Sequence, residues 1–197
     1  MGQSTIKGLL LRSPFAGPRE QLIISAIFSL AAIVITALVL YGAYYGGITA
    51  LLLRSTFFSI VSCAALSYFA LQIKHPLLRS CLYALAILAL IPGPYLWTTY
   101  VDIITRGAMS IPLDRWVFLA LISVVFVFVR MAVGRALVIL MAIAFGYAYF
   151  GYLIPGQYGH GGYDLSRITS TLLLSTEGVF GIPMGVAVEY IFLFSLF

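Results

Sequence analysis

Charge is what this sequence has least of. Asp, Glu, Lys and Arg make up 9% of its 197 residues, where soluble domains carry about 25%. Acidic side chains are the scarcer kind, 6 against 11 basic ones, and histidine and cysteine occur twice each. Each shortage excludes something. So few charges cannot keep a disordered chain solvated or lay a basic stripe along a nucleic acid. Two cysteines do not make a secreted disulfide scaffold. Cys63 and Cys81 lie inside apolar runs, where they read as small buried hydrophobes. No second histidine or cysteine stands at ligand spacing from His160, so no metal site is expected. Catalytic motifs are missing as well, with no G-x-S-x-G, no H-E-x-x-H and no G-x-x-x-x-G-K. The chain is therefore not expected to be an enzyme or to carry a cofactor.

What is present is oil. Hydrophobic residues are 62% of the chain, and a globule of this size has too little interior to hide them, so lipid must be the solvent for most of it. A span needs about 20 apolar residues. The 33 uncharged residues between Glu20 and Arg54, punctuated by Gly42, Gly46 and Gly47, predict a helix over 22–45, a tight turn and a second helix over 50–73. Arg54 falls in the first turns of that second helix, close enough to its end to snorkel to the headgroups. The third uncharged run, 80–101, is interrupted by Ile91-Pro92-Gly93-Pro94, which should kink or end the helix near Ala89. Beyond it, Tyr95, Trp97 and Tyr100 read as interfacial. Ser110-Ile111-Pro112-Leu113-Asp114 resembles a helix start with a serine cap. A fourth helix over 116–133 and a fifth over 136–154 follow. The fold class expected is all-α and polytopic, with five full spans, a sixth broken helix and a cytoplasmic N-terminus. Residues 1–21 form a cytoplasmic segment that either lies on the membrane surface or is a solvated tail.

Orientation follows from where the basic residues sit. With the N-terminus inside, Lys7, Arg12, Arg19, Lys74, Arg79, Arg130 and Arg135 are cytoplasmic and only Glu20 opposes them. Arg54, Arg106, Arg115 and Arg167 fall outside, offset by Asp102, Asp114 and Asp164. That asymmetry obeys the positive-inside rule, and the tyrosine clusters near residues 41–45, 95–100 and 147–152 then share the outer face.

The last fifty residues differ in character. Ile154 to Asp164 is a glycine-rich outer loop carrying His160. From Leu165 onward the chain is apolar but interrupted by Glu177-Gly178-Val179-Phe180-Gly181-Ile182-Pro183, which an unbroken helix would not contain. Such interruptions free backbone groups for solute and ions in secondary transporters; a kinked, closely packed helix is the plainer alternative. Glu177 could bind an ion, pair with Arg167 or cap broken backbone. Glu189, among apolar neighbours, should be protonated or face a protein interior. Arg106 with Asp102 and Asp114 reads either as an interfacial anchor or as part of a docking surface.

Leu153-Ile154-Pro155-Gly156, Gly159-His160-Gly161, Arg167 and the Glu177–Pro183 block running into Phe192-Leu193-Phe194 resemble the fused membrane component of TRAP transporters, and within them the TAXI branch. There, a small four-helix subunit and a large twelve-helix subunit share one chain. Thr105-Arg106-Gly107, Pro112-Leu113-Asp114 and the Arg130 to Gly134-Arg135 stretch also fit, so that the resemblance covers about 102–197. It implies a sodium-driven importer of small organic anions, carboxylates, in the bacterial inner membrane, fed by a periplasmic solute-binding protein. It divides the chain into a small-subunit-like region (22–135), a connecting helix with the Gly-rich loop (136–167) and the opening of the large subunit (168–197). Solute and sodium sites would lie in the remainder of the large subunit. The end at Phe197 without a polar flank is expected to mark the front portion of a longer protein. Gating or structural candidates are Glu177, Gly178, Gly181, Pro183 and Glu189; docking candidates are Arg106, His160, Asp164 and Arg167. The rival expectation is a structural or assembly subunit of another inner-membrane complex.

Overall fold

The computed structural model describes residues 18–154 and 158–196. The N-terminal segment and Pro155-Gly156, on which part of the sequence reading rests, lie outside them. Among the described residues every regular element is helical. The helices are α1 (Pro18–Tyr45), α2 (Ala50–Leu71), α3 (Pro76–Leu88), α4 (Pro92–Thr105), α5 (Pro112–Ala132), α6 (Arg135–Phe150) and α7 (Leu165–Leu173). A short 3₁₀ turn, Gly151–Leu153, extends α6. The C-terminal segment is α8 (Ile182–Gly185), a π-helical stretch (Val186–Phe192) and α9 (Leu193–Leu196). Among the described residues, five stretches are long and apolar enough to cross a membrane: Leu22–Tyr45, Ala50–Leu71, Pro76–Thr105, Pro112–Ala132 and Arg135–Leu153. The protein is a multi-pass helical membrane protein.

The third of those spans shows why a proline pair need not end a segment. Helix α3 stops at Leu88, as Ile91-Pro92-Gly93-Pro94 predicts. The joint is a tight turn, with Leu90 N–H donating to Ile87 O and Ile91 N–H to Leu88 O, each at 3.1 Å. But Pro92 and Pro94 both fall in the first turn of α4, whose N–H groups have no acceptor in their own helix anyway. The chain therefore resumes as a helix to Thr105 rather than trailing along the surface. Helix α5 likewise begins at Pro112, four residues before Trp116. Two glycines set the other joints. Gly46, at φ +61°, closes the α1–α2 turn, and Gly134, at φ +126°, lets α6 start directly after α5.

Helix α2 is the hub. It packs against α1, α3, α4, α5 and α8, and 56% of its apolar window is buried against 6% for the α6 span. Its interior face sets serines among apolar side chains: Ser55, Ser59, Ser62 and Ser67 are all buried. Small hydroxyl side chains let neighbours approach closely and still find a partner. Gly93 N–H donates to Ser59 Oγ at 3.0 Å, and the Trp97 indole donates to Thr56 Oγ1 at 2.7 Å. The main core joins α2 to α5 with Ile168, Leu173, Leu174 and Phe180; a second joins Ile35 and Val39 of α1, Leu53 of α2 and Val188.

Candidate functional site

The interrupted segment is where the candidates converge. Helix α7 ends at Leu173 and the next begins at Ile182, so the Glu177–Pro183 block does break the helix. The cause is local. Val179 N–H reaches back to Leu172 O at 3.2 Å and Gly181 N–H to Gly178 O at 3.0 Å, a folded turn instead of a helical ladder. A Cβ on Gly178 would collide with the backbone of Thr171 and Leu172, and one on Gly181 would sit 2.9 Å from Gly178 O. Pro183 then occupies the first turn of α8, where its missing N–H costs nothing. The break sends the two halves to different hosts: α7 packs on α5, α8 on α2, and the π-helical stretch on α1.

Arg54 is the side chain that meets this break, and it does not snorkel. Its guanidinium turns inward: Nε and Nη2 donate to Glu189 Oε1 at 3.1 and 2.9 Å, and Nη1 donates to the carbonyls of Phe180 and Gly181 at 3.2 and 3.3 Å. The physical reason is cost. A charge held at a helix wall finds more stabilisation in a carboxylate and two carbonyls than in bending toward headgroups. Glu189 therefore has its partner within this chain. Helix α2 reinforces the contact one turn on. Phe58 meets fully buried Phe180 edge-on at 6.0 Å, within the break, and Phe57 meets Phe192 at 5.5 Å, after it. Residues i, i+3 and i+4 of α2 thus hold the interruption and the segment that follows it.

Glu177 stands apart. It is exposed, its N–H accepted by Ser175 Oγ at 3.1 Å. Pairing with Arg167, one of the three readings the sequence left open, does not form. Arg167 instead lies over the Tyr163 ring, 5.2 Å from its centroid. Among the described residues the Glu177 carboxylate joins no ion pair.

The glycine-rich loop is tied down by its histidine. The last turn of α6 leaves carbonyls without helical partners, and the loop supplies them. His160 Nε2 bonds Tyr147 O at 3.1 Å, Tyr163 N–H donates to Ala148 O at 3.0 Å and His160 N–H to Gly151 O at 3.2 Å. Gly162 N–H donates to Nδ1, which assigns the ring proton to Nε2. The imidazole lies where a Cβ of residue 151 would be, so Gly151 is required by the contact. Asp164 caps α7 by accepting from Ser166 N–H at 3.2 Å. A cavity of about 460 Å³ between α6 and α7 is lined by Tyr163, Arg167 and Thr171 among apolar side chains.

Arg106 belongs to a third cluster. Asp114 is completely buried and accepts from Arg106 Nη2 at 3.0 Å, from Ile111 N–H at 2.8 Å and from the Tyr95 hydroxyl. Asp114, not Ser110, therefore caps the start of α5; Ser110 shares a 2.7 Å hydrogen bond with Ser166 of α7. Tyr95 is turned toward this cluster instead of toward headgroups, and Asp102 stays exposed outside it. Sequence reasoning missed the Arg54–Glu189 pair; it grouped Arg106 with Asp114 but missed Tyr95 and the full burial of the carboxylate. The available signal was cost: an acid among apolar neighbours demands a partner, and Arg54 is a cation in another apolar run. Among the described residues no three His, Cys, Asp or Glu side chains gather as a metal-binding group. Comparison with family models, with curated proteins and with solved structures found no match.

Proposed function

We propose that this chain is part of the membrane component of a sodium-coupled, binding-protein-dependent secondary transporter that imports small organic anions, carboxylates, across a bacterial inner membrane. The reading makes residues 18–196 a scaffold: a hub helix, a serine-lined interior and an interrupted segment held against them. The observation that carries it is the helix break at Glu177–Pro183, lodged in a bundle of membrane-spanning helices, because interrupted helices are how transporters place free backbone groups inside a membrane. The resemblance of that block and of the Gly-His-Gly loop to TRAP transporters of the TAXI branch supplies the chemistry of the cargo. On this reading the solute and sodium sites are built by later membrane hairpins. The outer loop, with Asp164 and Arg167, meets a periplasmic solute-binding protein.

The test is uptake. The full transporter in liposomes should accumulate a labelled carboxylate only with an inward sodium gradient and its binding protein present. Uptake without the binding protein, or driven by protons or ATP, rejects the mechanism. An assembly subunit of another membrane complex would move nothing under any of these conditions and would instead co-purify with its complex.

A further inference from the structure

Four hydrogen bonds from one guanidinium hold elements 126 to 135 residues apart in sequence, and each has a distinct structural consequence. The two bonds to Glu189 come from the same edge, Nε and Nη2, and converge on one oxygen, Oε1; with Nη1 held by two carbonyls of the turn, they fix how the guanidinium lies. That plane aims Nη1 at Phe180 and Gly181, at the very turn where the helical ladder is lost. Gly181 O already accepts from Gly185 N–H at 3.0 Å, so the arginine uses its second lone pair. Gly185 completes the seat: a Cβ there would stand 2.5 Å from Nη2 and 2.6 Å from Cζ. Glu189 sits within the π-helical stretch, whose widened turn changes the direction in which its side chain points relative to an α-helical course. The pair also lies between the two cores, since Leu53 belongs to one and Phe180 to the other.

We propose that Arg54 is a positioning residue, a pin that fixes the interrupted C-terminal segment to α2 by donating at once to the carbonyls of the turn, Phe180 and Gly181, and to Glu189 beyond it. Arginine is required, because a lysine ammonium is a point donor that cannot span a carboxylate and two carbonyls in one plane. The pin makes the break a static joint of the N-terminal helices instead of a hinge. The inference does not depend on the transport reading and stands or falls without any solute.

Hydrogen exchange on the purified chain in detergent or nanodiscs tests it. With Arg54→Gln, amides of 182–192 should exchange at least about tenfold faster, the loss of charge-assisted bonds to that segment, while α3 to α5 keep their protection. Arg54→Lys should fall close to Arg54→Gln and not to the unaltered protein. Leu121→Ala, a cavity in the shared core, is the contrast: it should speed exchange throughout and show no preference for 182–192. An Arg54→Gln profile that matches Leu121→Ala, or that matches the unaltered protein, overturns the proposal. So does an Arg54→Lys variant with full protection. If Arg54→Gln does not survive purification, the same comparison is made in membranes. The reporter is Val188→Cys, fully buried in the second core, in a background with Cys63 and Cys81 replaced by alanine. A permeant maleimide should label it about tenfold faster when Arg54→Gln is added; equal labelling rates with and without Arg54→Gln overturn the pin.

Discussion

A carboxylate with no exposure at all is the sharpest feature at the scale of single residues. Asp114 has its bonds from Arg106, Tyr95 and Ile111 N–H, and Arg106 retains 19% exposure. Removing one member of a buried pair strands the other, so Asp114→Asn should cost about 3 kcal/mol, read as a lower melting temperature in detergent. Asn keeps the shape and the acceptor oxygen, which separates charge from packing; a melting temperature unchanged within error would mean that Arg106 has water in reach. His160 makes the opposite point. A histidine in a glycine-rich loop reads as a surface or docking contact, yet its ring closes the end of α6. The residue types around it, Gly151 and Gly162, were visible in the sequence; that they make room for this ring was not.

At the scale of elements, the spans differ in what surrounds them. Helix α6 hides almost nothing of itself, whereas Leu121 and Val124 of α5 have no exposure. Lipid tails are as apolar as the side chains they meet, so trimming an outward-facing residue of α6 leaves the transfer balance nearly unchanged. Ile139→Ala and Ile143→Ala should each shift stability by less than about 0.5 kcal/mol. Leu121→Ala, which leaves a cavity among α2, α5 and their neighbours, should cost about 2 kcal/mol or more. Equal losses in a detergent unfolding series would show that α6 is packed against protein on that face. The elements also show how far the sequence could be read. Uncharged runs located the helices within a few residues, because length and the demand for internally satisfied backbone leave a membrane chain few choices. Starts and joints were harder. Pro92, Pro94 and Pro112 each fall in the first turn of a helix, and a proline that opens a helix has the same letter as one that ends it.

The whole molecule adds the question of direction. The basic residues at 74–79 and 130–135 should lie in the cytoplasm and the loop at 158–164 outside. An impermeant maleimide applied to intact cells should label Tyr158→Cys, exposed in the outer loop, in a background with Cys63 and Cys81 replaced. Leu78→Cys, exposed beside Arg79, should react only after the membrane is opened. The reverse pattern would invert the topology and, with it, the side from which any soluble partner could dock.

Composition and order alone determined that this chain crosses a membrane as helices, roughly where each helix runs, and that the last apolar stretch cannot be one continuous rod. Those conclusions come from local and additive quantities: the length of an uncharged run, a missing amide hydrogen, a missing Cβ. Which charge answers which was decided only by packing. Arg54 lies 135 residues from Glu189. Nothing short of placing α2 beside the break and the segment after it reveals that a cation expected among headgroups closes the break instead. Ion pairs inside a membrane protein are properties of a contact surface, and a contact surface exists only once the helices have met.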